Sequence, residues 1–277
     1  MLRRILITSA AVLMSLMLVF GACTKRKRTD GGEGGDGGTK KPTYASKGDE
    51  GSITGKVTLD GTPPTPSKID MSQDANCSAA SPDKNIDDVL VEGGKLANVL
   101  VYLKGGGIEK FSYPTPSDPV VLDQKGCRYH PRTLALQVNQ KFEVTNSDAT
   151  THNVHPSPKS NPEWNQSQPQ GSPPIEKTFA RKEVMIPVKC NQHPWMKANL
   201  GVLDHPYFAV TGPDGSYTIK NVPPGTYTIV FWHEKYLEQT AQVTVGAKES
   251  KTQDISYKAG QAYAPGSLPI APALVLP

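Results

Sequence analysis

Residues 188–201 read VKCNQHPWMKANLG and set Cys190, His193 and Met196 within seven positions, in a chain of 277 residues with four cysteines, six histidines and six methionines. Two residues separate each of these side chains from the next, so one tight turn can present a thiolate, an imidazole and a thioether to a single ion. Soft sulfur ligands combined with imidazole suit copper cycling between Cu(I) and Cu(II), and the trigonal form of that set needs a second imidazole besides the weak axial thioether. His152, in ATTHNVHP upstream, can supply it. Zinc also takes cysteine and histidine, but it has little use for a thioether, and structural zinc sites commonly carry two or more cysteines. Copper is therefore the expected ion. His155 is expected to point away from it, and His130, His205 and His233 read as surface or interface residues.

Such ligands need a rigid frame. RTLALQVNQKFEVTNSD alternates through Leu134, Leu136 and Val138 and again through Phe142 and Val144, KEVMIPVKC leads into the cysteine, and ANLGVLDH follows the methionine. A Greek-key sandwich brings two loops together at one end, with His152 on one and Cys190, His193 and Met196 on the other. Alternation returns outside this unit, in SITGKVTLDG, in LANVLVYLKGG with Val99, Val101 and Leu103 opposite Leu100 and Tyr102, and in YFAVTGPDGSYTIKNVPPGTYTIVFW with its Gly- and Pro-rich turns. No window reads as a capped amphipathic helix. With 25 glycines and 25 prolines, the expected class is all-β. A formal charge of +4 without a basic stripe excludes a nucleic-acid partner.

THNVH together with CNQHPWM resembles the cupredoxins of the amicyanin and plastocyanin type, over most of residues 118–205. The resemblance implies a type 1 (blue) copper site with His152, Cys190, His193 and Met196 as ligands. It implies that Asn153 ties the two ligand loops together and supports the cysteine sulfur. It further implies one-electron transfer through His193 and its neighbours Pro194 and Trp195 as the surface port. ITGKVTLDG, ANVLVYLKGG, PDGSYTIKNVPPGTYTI and QVTV resemble, in that order, the carboxypeptidase regulatory-like (transthyretin-like) sandwich. About a hundred residues separate Leu103 from Phe208, where that family has a short loop. The expected arrangement is a cupredoxin-like domain at 118–205 inserted into a host sandwich formed by 52–117 and 206–257.

The first 23 residues join a basic start to an apolar run and end in Gly21, Ala22 and Cys23, an export signal that resembles a bacterial lipobox. Cys23 is the expected lipidation site, placing the protein in the cell envelope at the periplasmic face or outer membrane. Residues 24–51 are Gly-rich and charged and read as a flexible tether, and 258–277 as a disordered tail. Export permits disulfides. With Cys190 reserved for metal and Cys23 for lipid, Cys77 and Cys127 are the expected pair. A single type 1 site has no open catalytic position, so no enzyme is expected; the partner would be a redox protein, such as a cytochrome c, dehydrogenase or oxidase. Adhesion or glycan binding with incidental copper, and copper sequestration, are the alternatives.

Overall fold

The computed structural model describes residues 41–262. The export signal, Cys23, most of the tether and most of the tail lie outside them. Among the described residues the chain is almost entirely β, in four sheets that pair into two sandwiches.

The outer sandwich is organised around the strand Gly51–Asp60, whose inward residues Ile53, Gly55, Val57 and Leu59 are all buried. This strand runs antiparallel to Ser216–Val222 and parallel to Ser250–Thr252 and Ile255–Lys258. A Cβ at Gly55 would overlap the Gln253 carbonyl, so only glycine lets the parallel neighbour approach there. The facing sheet holds Leu100–Lys104 between Phe208–Val210 and Gly225–His233, and the last of these also pairs with Leu237–Val245. Phe208 lies opposite Tyr102. The chain thus leaves the host sheet after Lys104 and returns to the same strand about a hundred residues later.

The intervening residues build the second sandwich. Its five-stranded sheet contains His152–Pro156, Glu183–Lys189, Lys197–Leu203 and Thr133–Gln137, and its four-stranded sheet contains Val120–Gln124 and Phe142–Asn146. Leu122, Leu136, Phe142, Val144, Ile186 and Leu200 fill the space between them. The stretch 157–182, which reads as a loop, contributes two further short strands, Gln166–Gln168 and Ile175–Lys177, that pair with the ligand-bearing sheet and its partner.

The two sandwiches meet through a small third core formed by Leu100, Tyr102, Val230 and Leu203. This explains why both alternating sets of LANVLVYL are buried: Val99, Val101 and Leu103 face the host core, while Leu100 and Tyr102 face the insert. A Cβ on Gly201 would stand 2.9 Å from Leu100 Cδ2, so glycine permits the close approach of the two sheets. Arg132 adds a polar tie. It is 5% exposed and bonds Asp87 (2.6 Å) in the host's first long connection and Glu234 (2.9 Å) at the end of a host strand.

Several expectations need correction. Residues 42–50 are not a free tether: Tyr44 stacks on Tyr113 and meets the edge of Phe111, and Glu50 accepts hydrogen bonds from Tyr44 and Ser46. Lys258 ends a strand and Ala259–Gln261 form a 3₁₀ turn, so the tail begins later than its composition suggested. Among the described residues there is one short α-helix, α1 (Ala75–Ala80); its six residues are too few to give a helical period in sequence. His205 and His233 are buried rather than at the surface, at 2% and 1% exposure. His205 stacks on Tyr207, and burial lowers its pKa to about 4. His233 sits beside Tyr236 and Tyr257, and burial, reinforced by Arg132, lowers its pKa to about 3.

Candidate metal centre

Cys190 follows directly on the strand Glu183–Lys189, and the return strand begins at Lys197. The turn between them is closed by two backbone bonds, Met196 N–H to His193 O (2.9 Å) and Cys190 N–H to Met196 O (3.2 Å). His152 opens the neighbouring strand His152–Pro156, whose end pairs with Val188 and Lys189. Sheet pairing therefore fixes the distance between the two ligand loops, which the sequence separates widely.

The side chains of His152, Cys190 and His193 converge, with one ligand atom from each within 4.8 Å of the others. The two Nδ1 atoms are 2.9 Å apart, and Cys190 Sγ is 3.6 Å from His193 Nδ1. All three are buried, and Met196, 1% exposed, lies in the same core. Asn153 Oδ1 accepts from Asn191 N–H (2.7 Å) and from Cys190 Sγ (3.2 Å), joining the two ligand loops across the sulfur. His155 stays outside the cluster, bonded to Asn191 Oδ1 (3.0 Å) and Glu163 (2.6 Å), and His130 is exposed near Lys125 O.

Two carboxylates complete the arrangement. Asp148 Oδ2 lies 2.8 Å from His152 Nε2, and Asp74 Oδ2 lies 3.2 Å from His193 Nε2. Because each Nε2 is engaged outward, each Nδ1 faces the centre. Burial alone would lower the His152 pKa, but its bonds to Asp148 and Cys190 outweigh that and hold it at about 9. Burial pushes His193 down, the Asp74 carboxylate opposes this, and the positive His152 adds to the lowering. Burial would raise the Cys190 thiol, yet His152 and neighbouring backbone N–H groups bring it below its ordinary value. The outcome is a thiol inclined to ionise beside two facing Nδ1 atoms, and an ion accepting both lone pairs would displace protons from this group of donors. A thiolate, two imidazole nitrogens and an adjoining buried thioether fit copper by donor type.

The expected surface port is not open as the resemblance implied. His193 is 5% exposed, with Asp74 at its outer nitrogen and Cys77 Sγ 3.6 Å from the same atom. The cause is α1, which belongs to the host's connection and is held over the ligand turn by the bond between Cys77 and Cys127. Pro194 is exposed, whereas Trp195 is half-buried, packing 5.2 Å from the His193 ring and donating from Nε1 to Cys127 O at 3.0 Å. A groove of about 670 Å³ runs beside them, lined by Ile69, Asp74, Ile86, His193 and Trp195 among others.

Asp74, Asp148 and Thr150 were missed in the sequence. Asp148 stands four positions before His152, and Asp74 three before Cys77 at the start of a helix too short to detect, so neither has a spacing that marks it as a partner of histidine.

Comparison with known proteins gives the host a family likeness. Residues 191–258 match the carboxypeptidase regulatory-like domain. That match starts inside the ligand turn and continues through the returning strands of the outer sandwich. Rhamnogalacturonate lyase A of Aspergillus niger is 42% identical over 53 residues, 19% of this chain and 11% of the lyase. The Aspergillus aculeatus enzyme is 40% identical over 50 residues, 18% and 10% of the two chains. The chain spans about a tenth of the length of the curated relatives it matches. Similar solved structures include a Cu-containing nitrite reductase from Thermus scotoductus SA-01, at 15% identity and TM-score 0.30, covering 54% of this chain and 28% of the reductase. Amicyanin from Paracoccus versutus has 18% identity and TM-score 0.28, with coverages of 31% and 83%. A purple cupredoxin from Nitrosopumilus maritimus has 19% identity and TM-score 0.26, with coverages of 30% and 98%.

Proposed function

We propose that the protein is a copper-binding, one-electron carrier of type 1, tethered through Cys23 to a membrane of the cell envelope and exchanging electrons with a redox protein. The observation that carries this reading is the convergence of Cys190 Sγ with the Nδ1 atoms of His152 and His193, with Met196 buried alongside. His152, Cys190, His193 and Met196 would hold the ion, and Asn153 would steady the sulfur. Copper bound there supplies a Cu(II)/Cu(I) couple. The side chains do the rest: two fixed imidazoles and a constrained turn change little between charge states, and the buried setting keeps water away. If His152, Cys190, His193 and Met196 all hold the ion, they would leave it no position for substrate, so the protein is read as a carrier and not an enzyme.

The absorption spectrum of copper-loaded soluble protein tests this. An intense visible thiolate-to-Cu(II) band is expected, and a colourless copper complex would refute it. A second reading, copper retention, is favoured by one observation, the cover over His193. Reversible voltammetry with fast self-exchange supports transfer; very slow exchange with tight binding supports retention.

A further inference from the structure

Asp74 comes from the host's connection and Asp148 from the insert, yet they occupy equivalent places about the disulfide. Asp74 Oδ1 accepts the Cys77 N–H at 3.0 Å while its Oδ2 meets His193 Nε2 at 3.2 Å. Asp148 Oδ2 accepts the Cys127 N–H at 2.8 Å and meets His152 Nε2 at 2.8 Å, and its Oδ1 accepts the Gly126 N–H at 2.6 Å. Each half-cystine thus donates its own backbone N–H to the carboxylate that holds one imidazole, and the S–S bond joins the two halves. Thr150 Oγ1 donates to Asp74 Oδ2 at 3.0 Å, linking the host carboxylate to the loop that carries His152. Both cysteines are fully buried.

We propose that Asp74, the Cys77–Cys127 disulfide and Asp148 form one clamp that positions both ligand histidines, so that the metal centre of the insert is incomplete without the host's connection. It rests on the reading of His152 and His193 as metal ligands. The carboxylates direct each Nε2–H outward, aim the Nδ1 lone pairs into a shared space and make the imidazoles stronger donors, as carboxylates behind metal-bound histidines do. The disulfide fixes how far apart the two carboxylates stand. Asp74 and Asp148 are positioning residues, since neither is placed to touch the ion itself.

The experiment compares Asp74→Ala with Asp74→Asn. Asparagine caps a helix about as well as aspartate, so a purely structural role for Asp74 predicts that Asp74→Asn behaves as wild type. The clamp predicts that it does not. Cobalt(II) affinity, titrated through the thiolate-to-cobalt absorption, should fall roughly 10–100-fold in Asp74→Ala and recover only in part in Asp74→Asn. The reduction potential of the copper-loaded variants should shift upward in the same order. In metal-free protein, nitrogen-15 NMR should find His193 as the Nε2–H tautomer in wild type and mixed in Asp74→Ala. Cys77→Ser/Cys127→Ser should reproduce the loss with both carboxylates intact. If that variant does not fold, Thr150→Val is read in its place and should loosen His193 in the same sense by a smaller factor. Wild-type affinity and tautomer in both Asp74 variants would overturn the clamp. A wild-type protein without the thiolate-to-Cu(II) band would instead overturn the copper reading, leaving the His193 tautomer to judge the clamp.

Discussion

The insert's His152 and the host's His233 are buried to a similar degree and behave in opposite ways. His152 is held at about 9 and His233 is pressed to about 3. Desolvation acts on both against the charged ring, so burial alone does not distinguish them. The difference is a carboxylate. Asp148 stands behind His152, whereas His233 has Tyr236, Tyr257 and a nearby Arg132, and its Nε2 has no hydrogen-bond partner among the described residues. A buried imidazole becomes a candidate ligand when its second nitrogen is anchored and its first is left facing another donor. Without the anchor it is a neutral packing element.

The largest expected effect breaks the insert's side of the comparison. Cys190→Ser should abolish the visible thiolate-to-metal band completely, while His233→Gln should leave it intact, as read by absorption after copper or cobalt loading.

Next in size is the loss of the cross-link. Closing the loop between Cys77 and Cys127, 50 positions apart, contributes roughly 4 kcal/mol in the chain-entropy model, an upper figure. Denaturant unfolding of Cys77→Ser/Cys127→Ser should therefore move to a clearly lower midpoint. A smaller loss, about 3 kcal/mol, is expected for Leu203→Ala, which opens the contact between the sandwiches. That variant should retain the metal band, because Leu203 lies away from the ligand turn, and it would sharpen the distinction between holding the sandwiches together and holding the ligands.

The smallest effect is a pH profile. In metal-free protein the folded state binds more protons than the unfolded state between 6.5 and about 9 because of His152. That contribution is complete below 6.5 and is lost as pH rises through 9. For His233 the order is reversed: the unfolded chain gains the proton below 6.5 and the folded one only near 3, so stability falls as pH drops through that window. Chemical denaturation across pH should find a maximum near 6.5. Asp148→Asn should make the alkaline limb shallower and His233→Gln the acid limb.

Much of the fold is legible in residue alternation. The strands around Val101, Leu136, Val144 and Ile219 follow from their period of two, and the turns from Gly212, Gly215 and Pro223. The metal cluster is legible because its ligands sit in a short turn and beside it in the sheet. What is not legible is whatever depends on one sandwich meeting the other. Leu100 and Tyr102 look like an outer face until the insert covers them, His205 and His233 read as surface or interface residues with nothing to mark them as fully buried, and Asp74 looks like an ordinary polar residue before a cysteine. Their roles arise from contacts across the fold, which leave no local period.

The pairing of Gly51–Asp60 with Ser250–Thr252 and Ile255–Lys258 has a mechanical consequence. These strands run parallel, so tension applied between the chain before Gly51 and the chain after Lys258 pulls the strands lengthwise past one another and loads their hydrogen bonds together, in shear and not one after another. The insert departs from and rejoins a different sheet, at Lys104 and Phe208. Apart from the packing of Tyr44 on Phe111 and Tyr113, it lies off the line of force, so a stretched host would transmit little strain to the ligand turn until the host's own sheet had given way.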